Sequence, residues 1–281
     1  MPEYAVTVGG VEAEILKAVA QAAEHAGVDW MVTGAMARYL VFTGMHGCSP
    51  GRSTRDWDVG VQVGYWAQFA VLEDHLIAEA GFQRDPRQRQ RLHGPAGGVV
   101  DLIPFGGVEA EGGEVHWGKE EEFRLNVTGF QHAYAASYRV RLADSVTSRV
   151  VSPPGLALLK LVAWQDRHRE NDRDAEDLAY LLHQYHHLVV EALFGAHLDA
   201  MGQVDYDMEL AGARILGKQA GEIAGLALSR RIDALLSVEL GRPDESRLLG
   251  TLGRYLASQG QTRTEELLRQ FANGWREAVT S

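Results

Sequence analysis

The sequence predicts an α+β protein, with strands and helices mixed up to residue 151 and an almost wholly helical part from 152 to 281. Three observations predict it. Residues Asp56 to Val63 alternate in type, with Trp57, Val59, Val61 and Val63 on one side and Asp56, Asp58, Gly60 and Gln62 on the other. Period two is the mark of a half-buried strand. Upstream, the order is helix, short apolar run, glycine, helix. Downstream, Ser152-Pro153-Pro154 offers a helix cap and first-turn prolines, and helical spacing dominates after it.

In chain order, Val11, Ile15, Leu16, Val19, Ala22 and Ala23 recur at helical spacing, and Gly27 is placed to end that helix. Trp30 to Thr33 reads as a strand, Gly34 as a turn and Ala35 to Phe42 as a helix. Residues 43–53 are rich in turn formers and read as a loop. After the Asp56–Val63 strand, Trp66 to Ala80 reads as an amphipathic helix closed by Gly81. Arg84 to Arg91 is polar and Arg-rich. Val99 to Ile103 reads as an apolar strand stopped by Pro104, with Asp101 embedded in it. Residues 106–122 read as an exposed loop or hairpin, and 138–151 as one or two further strands. In the second half, helices are expected at 153–168, 174–187, 190–200, 206–218, 220–237, 244–258 and 262–279.

Composition bounds the function. The net charge of −11 argues against broad adhesion to nucleic acid or to an anionic membrane surface. The single cysteine, Cys48, cannot form an intramolecular disulfide, which agrees with a reducing compartment. No signal peptide is visible and no run approaches the roughly 20 apolar residues that span a bilayer. A cytoplasmic protein without membrane contact is expected.

The candidate chemistry lies in carboxylates. Asp56 and Asp58 share the polar face of one strand and repel each other unless a cation answers them. A carboxylate inside Val99–Ile103 is costly to bury unpaired. If the two strands are neighbours, Asp56, Asp58 and Asp101 converge, as phosphoryl or nucleotidyl transfer with metal ions requires. Mg²⁺, or Mn²⁺, is the natural ion, since it takes hard oxygen ligands and leaves positions for phosphates. Gly34 lets backbone N–H groups approach phosphate at the start of a helix. Lys160 and Arg167 share a helix face, and Asp174 and Asp177 share a face of the next helix. That set reads equally well as an ion-pair lock between helices or as part of a site. The arginines at 84, 87, 89 and 91 read as a solvated loop or a local phosphate patch. His183 and His187 have the spacing of a helical metal pair but no third ligand, and are set aside.

The order Gly34-Ala35, Thr54-x-Asp56-x-Asp58, Asp101, Lys160 and Arg173-Asp174-x-x-Asp177-Leu178 resembles the AbiEii/AbiGii-type toxin family of the DNA polymerase β-like nucleotidyltransferase superfamily. The resemblance implies a nucleotidyltransferase-like short mixed β-sheet with flanking helices at 1–151, followed by an α-helical domain at 152–281 that completes the active-site cleft. It implies transfer of a nucleoside monophosphate from an NTP to an acceptor hydroxyl on RNA (tRNA among others), a protein or a small molecule. It also implies an antitoxin protein as partner. By position, Asp56, Asp58 and Asp101 would be catalytic and metal-binding, Gly34, Ala35, Thr54 and Lys160 would bind the nucleotide, and Arg55, Asp174 and Asp177 would be accessory. The family's turn usually reads Gly-Gly or Gly-Ser. Here it is Gly34-Ala35, and alanine does not take positive φ easily. A chain of this fold that binds a nucleotide or a partner without turnover is the alternative.

Overall fold

The computed structural model describes residues 4–52, 54, 56–117, 123–143, 146–257 and 260–280. The chain divides into two compact units, Met1–Ser152 and Pro153–Ser281. The first holds β1 (Tyr4–Ala5), α1 (Gly10–Ala26), β2 (Asp29–Thr33) and α2 (Gly34–Arg38), which continues as a π-helix over Tyr39–Met45. Then come β3 (Asp56–Val63), α3 (Trp66–Ala78), β4 (Gln83–Arg84), β5 (Arg91–His93), β6 (Val99–Gly106), β7 (Glu114–Trp117), β8 (Phe123–Asn126), α4 (Phe130–Ala135), β9 (Tyr138–Ala143) and β10 (Val146–Val150).

Eight strands form one mixed sheet in the order β1-β9-β10-β2-β3-β6-β5-β4, so the sheet is wider than the short one the resemblance implies. Its added edge comes from the Arg-rich segment, whose two ends pair antiparallel as β4 and β5. Strands of two and three residues are too short to show a period, so the sequence pattern there reads as a loop. β7 and β8 pair antiparallel as a separate two-stranded sheet, and residues 118–122 of the expected loop or hairpin lie outside the described residues. At the centre, β2 runs antiparallel to β3 and β3 runs parallel to β6. Trp57, Val59 and Val61 of β3 are fully buried on one face, as their alternation predicts. α1 ends at Gly27, whose φ of 63° is the left-handed conformation that a C-terminal glycine supplies.

Two local expectations change. The helix after Gly34 runs three residues further than its pattern suggests, into the expected loop, and its wide turn carries the fully buried Leu40, Val41 and Phe42. Pro104 does not stop β6. The Leu102 N–H donates to Gln90 O on the β5 side at 2.7 Å, and Pro104, two residues on, would aim its N–H the same way, past the end of β5. A proline there forfeits no ladder bond.

The second unit is helical throughout: α5 (Pro153–Arg167), α6 (Arg173–Leu188), α7 (Val190–Leu193), α8 (Leu198–Gly202), α9 (Met208–Gly241), α10 (Arg247–Tyr255) and α11 (Gln261–Thr280). The helix expected over 190–200 is two short ones, with Gly195 in the turn between them. The two helices expected over 206–218 and 220–237 are one element, bent at Gly225 (φ 65°, ψ 162°). Asp207 and Ser246 cap α9 and α10, accepting from the Leu210 and Leu249 N–H groups at 3.0 Å. Trp164, Leu178 and Trp275 are among its buried side chains. Among the described residues no helix is long and apolar enough to cross a membrane.

α9 and α11 pack through glycine. A Cβ on Gly217 would lie 1.9 Å from Phe271 O, and one on Gly274 would lie 1.9 Å from Arg214 O. Alanine in place of helical glycine normally stabilises by about 1 kcal/mol. Here the sign reverses: Gly217→Ala is expected to destabilise by about 1–3 kcal/mol through overpacking. A urea-denaturation midpoint equal to or above the wild-type value would mean that the helices are not in backbone contact.

Candidate functional site

The register of the central strands builds one polar row. Thr33 of β2 pairs with Asp58 of β3, Asp58 with Asp101 of β6, and Asp101 with Arg91 of β5. Paired residues on neighbouring strands point to the same face, and so does Asp56, two residues before Asp58. The three carboxylates picked out in the sequence therefore share one face of adjacent strands. Thr54 Oγ1 accepts from the Asp56 N–H at 3.3 Å, a local bond at the start of β3. Arg55 lies outside the described residues.

Arg91 closes this row. Its Nε donates to Asp101 Oδ1 at 2.8 Å, and its Nη2 donates to Asp101 Oδ2 at 2.7 Å and to Asp56 Oδ2 at 3.1 Å. Asp101 is 8% exposed. The guanidinium is held above its ordinary pKa, chiefly by the hydrogen bonding to Asp101. Burial opposes this, and the charges of Asp101, Asp56 and Asp58 reinforce it. The other arginines of that segment are elsewhere: Arg84 pairs with Glu73 and Asp74, and Arg87 and Arg89 are exposed. Sequence reasoning grouped the four by composition and missed the one that meets the aspartates.

Gly34 is required twice over. Its φ is +65°, and a Cβ on it would lie 1.9 Å from Asp58 Oδ2. The carboxylate of Asp58 thus occupies the space a side chain at 34 would take, directly against the start of α2. The positive φ falls on Gly34 and not on Ala35, so alanine at 35 strains nothing and is simply buried. One turn on, Arg38 is 3% exposed and donates from Nη2 to Arg52 O at 2.9 Å, tying the loop before β3 to this helix. Nothing in its sequence context marks it.

Among the described residues no three His, Cys, Asp or Glu side chains are gathered around one point closely enough to hold an ion. The donor set still suits one in kind, since Asp56 Oδ2 and Asp101 Oδ2 come from two strands and already converge on a single positive atom, Arg91 Nη2. Hard carboxylate oxygens meeting at one charge are what Mg²⁺ or Mn²⁺ binds.

The late residues belong to the second unit. Asp174 accepts from Lys160 Nζ at 3.0 Å and from Arg167 Nε and Nη2 at 2.7 and 3.0 Å, and Lys160 Nζ lies 2.7 Å from Asp177 Oδ2. Asp174 and Asp177 are 1% and 2% exposed. Of the two readings left open for this set, the structure displays the ion-pair lock between α5 and α6. His183 likewise has a structural partner, Glu209 of α9.

Burial disfavours the charge on Asp174, but the pull of Lys160 and Arg167 prevails and its pKa falls below the usual 3.8. Burial also opposes the charge on Lys160, while Asp177 and Asp174 raise it above 10.5. A lowered acid contributes stability above its unfolded pKa and loses it as pH falls through the folded value. A raised base contributes below its unfolded pKa and loses it as pH rises through the folded value. Lys160→Met is therefore expected to cost about 3–5 kcal/mol at neutral pH, because it takes the buried cation from Asp177 and leaves Asp174 to Arg167. The gap to wild type in denaturation midpoint should hold steady from about pH 5 to 9 and narrow below about pH 4; a gap insensitive to acid would remove Asp174 from the account. Separately, Gly34→Ala is expected to lower stability by about 1–3 kcal/mol through left-handed strain and collision with Asp58. An unchanged melting curve would mean that Asp58 does not rest on Gly34.

No protein-family model matches the chain, and no curated protein matches it. Among solved structures, that of the CD-NTase CdnG of Bradyrhizobium diazoefficiens in complex with GTP aligns over 96% of this chain and 86% of that chain, at 15% identity and a TM-score of 0.28. At that score the likeness assigns neither fold nor activity to this chain.

Proposed function

We propose that the chain is a nucleotidyltransferase that binds an NTP over the Asp56–Asp58–Asp101 row and passes its nucleoside monophosphate to an acceptor hydroxyl, breaking the α–β phosphoanhydride bond and releasing pyrophosphate. The observation that carries this reading is the coincidence of three co-facial carboxylates with a glycine turn pressed against one of them. In this reading Asp56, Asp58 and Asp101 hold Mg²⁺ or Mn²⁺, which supplies positive charge to the phosphates and to the attacking oxygen when bound. The first-turn N–H groups at Gly34 and Ala35 have no partner within the helix and donate to the triphosphate. Thr54 fixes where β3 begins and so where Asp56 points. Asp101, the most enclosed of the three, is the third ligand or the base that takes the acceptor's proton. Lys160, Asp174 and Asp177 keep α5 and α6 together; contact of Lys160 with phosphate would require it to leave two buried carboxylates. The acceptor is a hydroxyl of RNA, a protein or a small molecule, and a toxin countered by an antitoxin protein is the narrower form of this proposal.

A second reading, nucleotide binding without turnover, is favoured by Arg91, which already engages two of the three carboxylates. Calorimetric titration of each NTP, with and without Mg²⁺, into wild type and Asp58→Asn decides between these and neither. Binding that needs Mg²⁺ and weakens at least tenfold in a folded Asp58→Asn variant is the expected result. Transfer to an acceptor panel then separates turnover from binding alone. Absence of NTP binding to folded wild type would sink both.

A further inference from the structure

We propose that Arg91 is an internal latch on the acidic row: its guanidinium and a divalent cation are alternative occupants of the Asp56 and Asp101 carboxylates. The inference rests on the nucleotidyltransferase reading of that row and adds how the row is kept closed until ligand arrives.

Three features of the geometry point to it. First, Arg91 uses the very oxygens an ion would use. Nη2 lies 2.7 Å from Asp101 Oδ2 and 3.1 Å from Asp56 Oδ2, and Nε takes Asp101 Oδ1 at 2.8 Å. With both oxygens of Asp101 engaged by one planar fork, a cation cannot approach them without displacing it, and two positive centres within about 4 Å repel. Second, the arginine is able to leave. It stands on β5, three residues long, whose outer neighbour β4 has two residues and forms the edge of the sheet. Its side chain is 22% exposed and Asp56 is 41% exposed, so the head group has a route to water through side-chain rotation alone. Third, the group that leaves is itself a phosphate receptor, since a guanidinium fork matches phosphate oxygens as well as carboxylate oxygens. An ion–nucleotide pair can therefore open the row by supplying a cation to the aspartates and an anion to the arginine together.

The test uses the full chain and Mn²⁺ as probe, with free Mn²⁺ read by electron paramagnetic resonance and folding by circular dichroism. Arg91→Gln is expected to bind Mn²⁺ at least tenfold more tightly than wild type, and the gain is expected to vanish in Arg91→Gln/Asp101→Asn. Mn²⁺ affinity in Arg91→Gln no higher than in wild type overturns the latch, and so does a gain that survives loss of Asp101. If Arg91→Gln does not fold, Arg91→Lys serves in its place: a single ammonium reaches fewer of these oxygens, so its Mn²⁺ affinity should exceed that of wild type, and equality overturns the latch. Failure of the underlying reading looks different. An NTP that binds neither wild type nor the variant removes the nucleotide, while tighter Mn²⁺ binding in the variant still establishes the competition. Conversely, Mg²⁺–NTP binding to wild type with Mn²⁺ affinity unmoved by Arg91→Gln leaves the nucleotide and removes the latch.

Discussion

The structure of the first unit turns on one constraint, the placing of like charges side by side on a sheet. The parallel register of β3 and β6 sets Asp58 opposite Asp101, with Asp56 one repeat away. Neighbouring strands lie about 4.8 Å apart, so two carboxylates facing each other repel by about 3 kcal/mol at an effective dielectric of 20. Hydrophobic pairing on the reverse face, through Trp57, Val59 and Leu102, holds that register despite the cost, because a slip of one residue would turn the apolar set outward. The repulsion is instead met locally. Arg91 donates three charge-assisted bonds, worth roughly 1.5–3 kcal/mol each, and Gly34 leaves room for the Asp58 carboxylate to lean away from its neighbours.

What could be read from the sequence follows from the range of each interaction. The Asp56–Val63 strand was fully legible, ends included, because eight alternating residues report their own two faces. The helix stop at Gly27 was legible for a similar reason, since a cap is a local event. Asp101 could be flagged as a carboxylate in an apolar run. Its pairing with Asp58 needed register, which a sequence pattern does not encode. Arg91 was out of reach altogether: it lies on a strand too short for periodicity, among other arginines that do something else. The worry over Ala35 arose from assigning the strained backbone to the wrong residue of the turn, and only the dihedral at Gly34 resolves it.

The helical half shows the same limits. Helices α5, α6 and α11 matched their periodic patterns to within a few residues. The 206–237 region reads as two helices parted at 219, yet the chain runs on helically there, and the neighbouring Gly217 and Gly221 serve close packing against α11 and do not end a helix. The bend falls instead at Gly225, where the backbone turns to positive φ. Glycine composition cannot separate these roles; what each missing Cβ would strike does so at once.

Two of the clusters of aspartate and basic residue among the described residues bear on the site, and their surroundings give them different meanings. Around Asp174 and Asp177, two carboxylates meet Lys160 and Arg167 on helices of 15 and 16 residues, with the acids almost wholly enclosed. Taking Lys160 away would leave buried charge with no route to water, so that cluster resists change and behaves as scaffold. Around Asp56 and Asp101, the basic partner stands on a three-residue strand next to the sheet edge, and one of the acids is nearly half exposed. Water reaches Asp56 there, but Asp101 is 8% exposed with both oxygens on Arg91, so whatever takes the arginine's place must itself be a cation. Ion pairing by itself therefore says little about function in this molecule. The difference lies in whether the basic group itself has a route to water, and by that criterion the row across β3, β6 and β5 is the one that the proposed exchange of counter-ion fits.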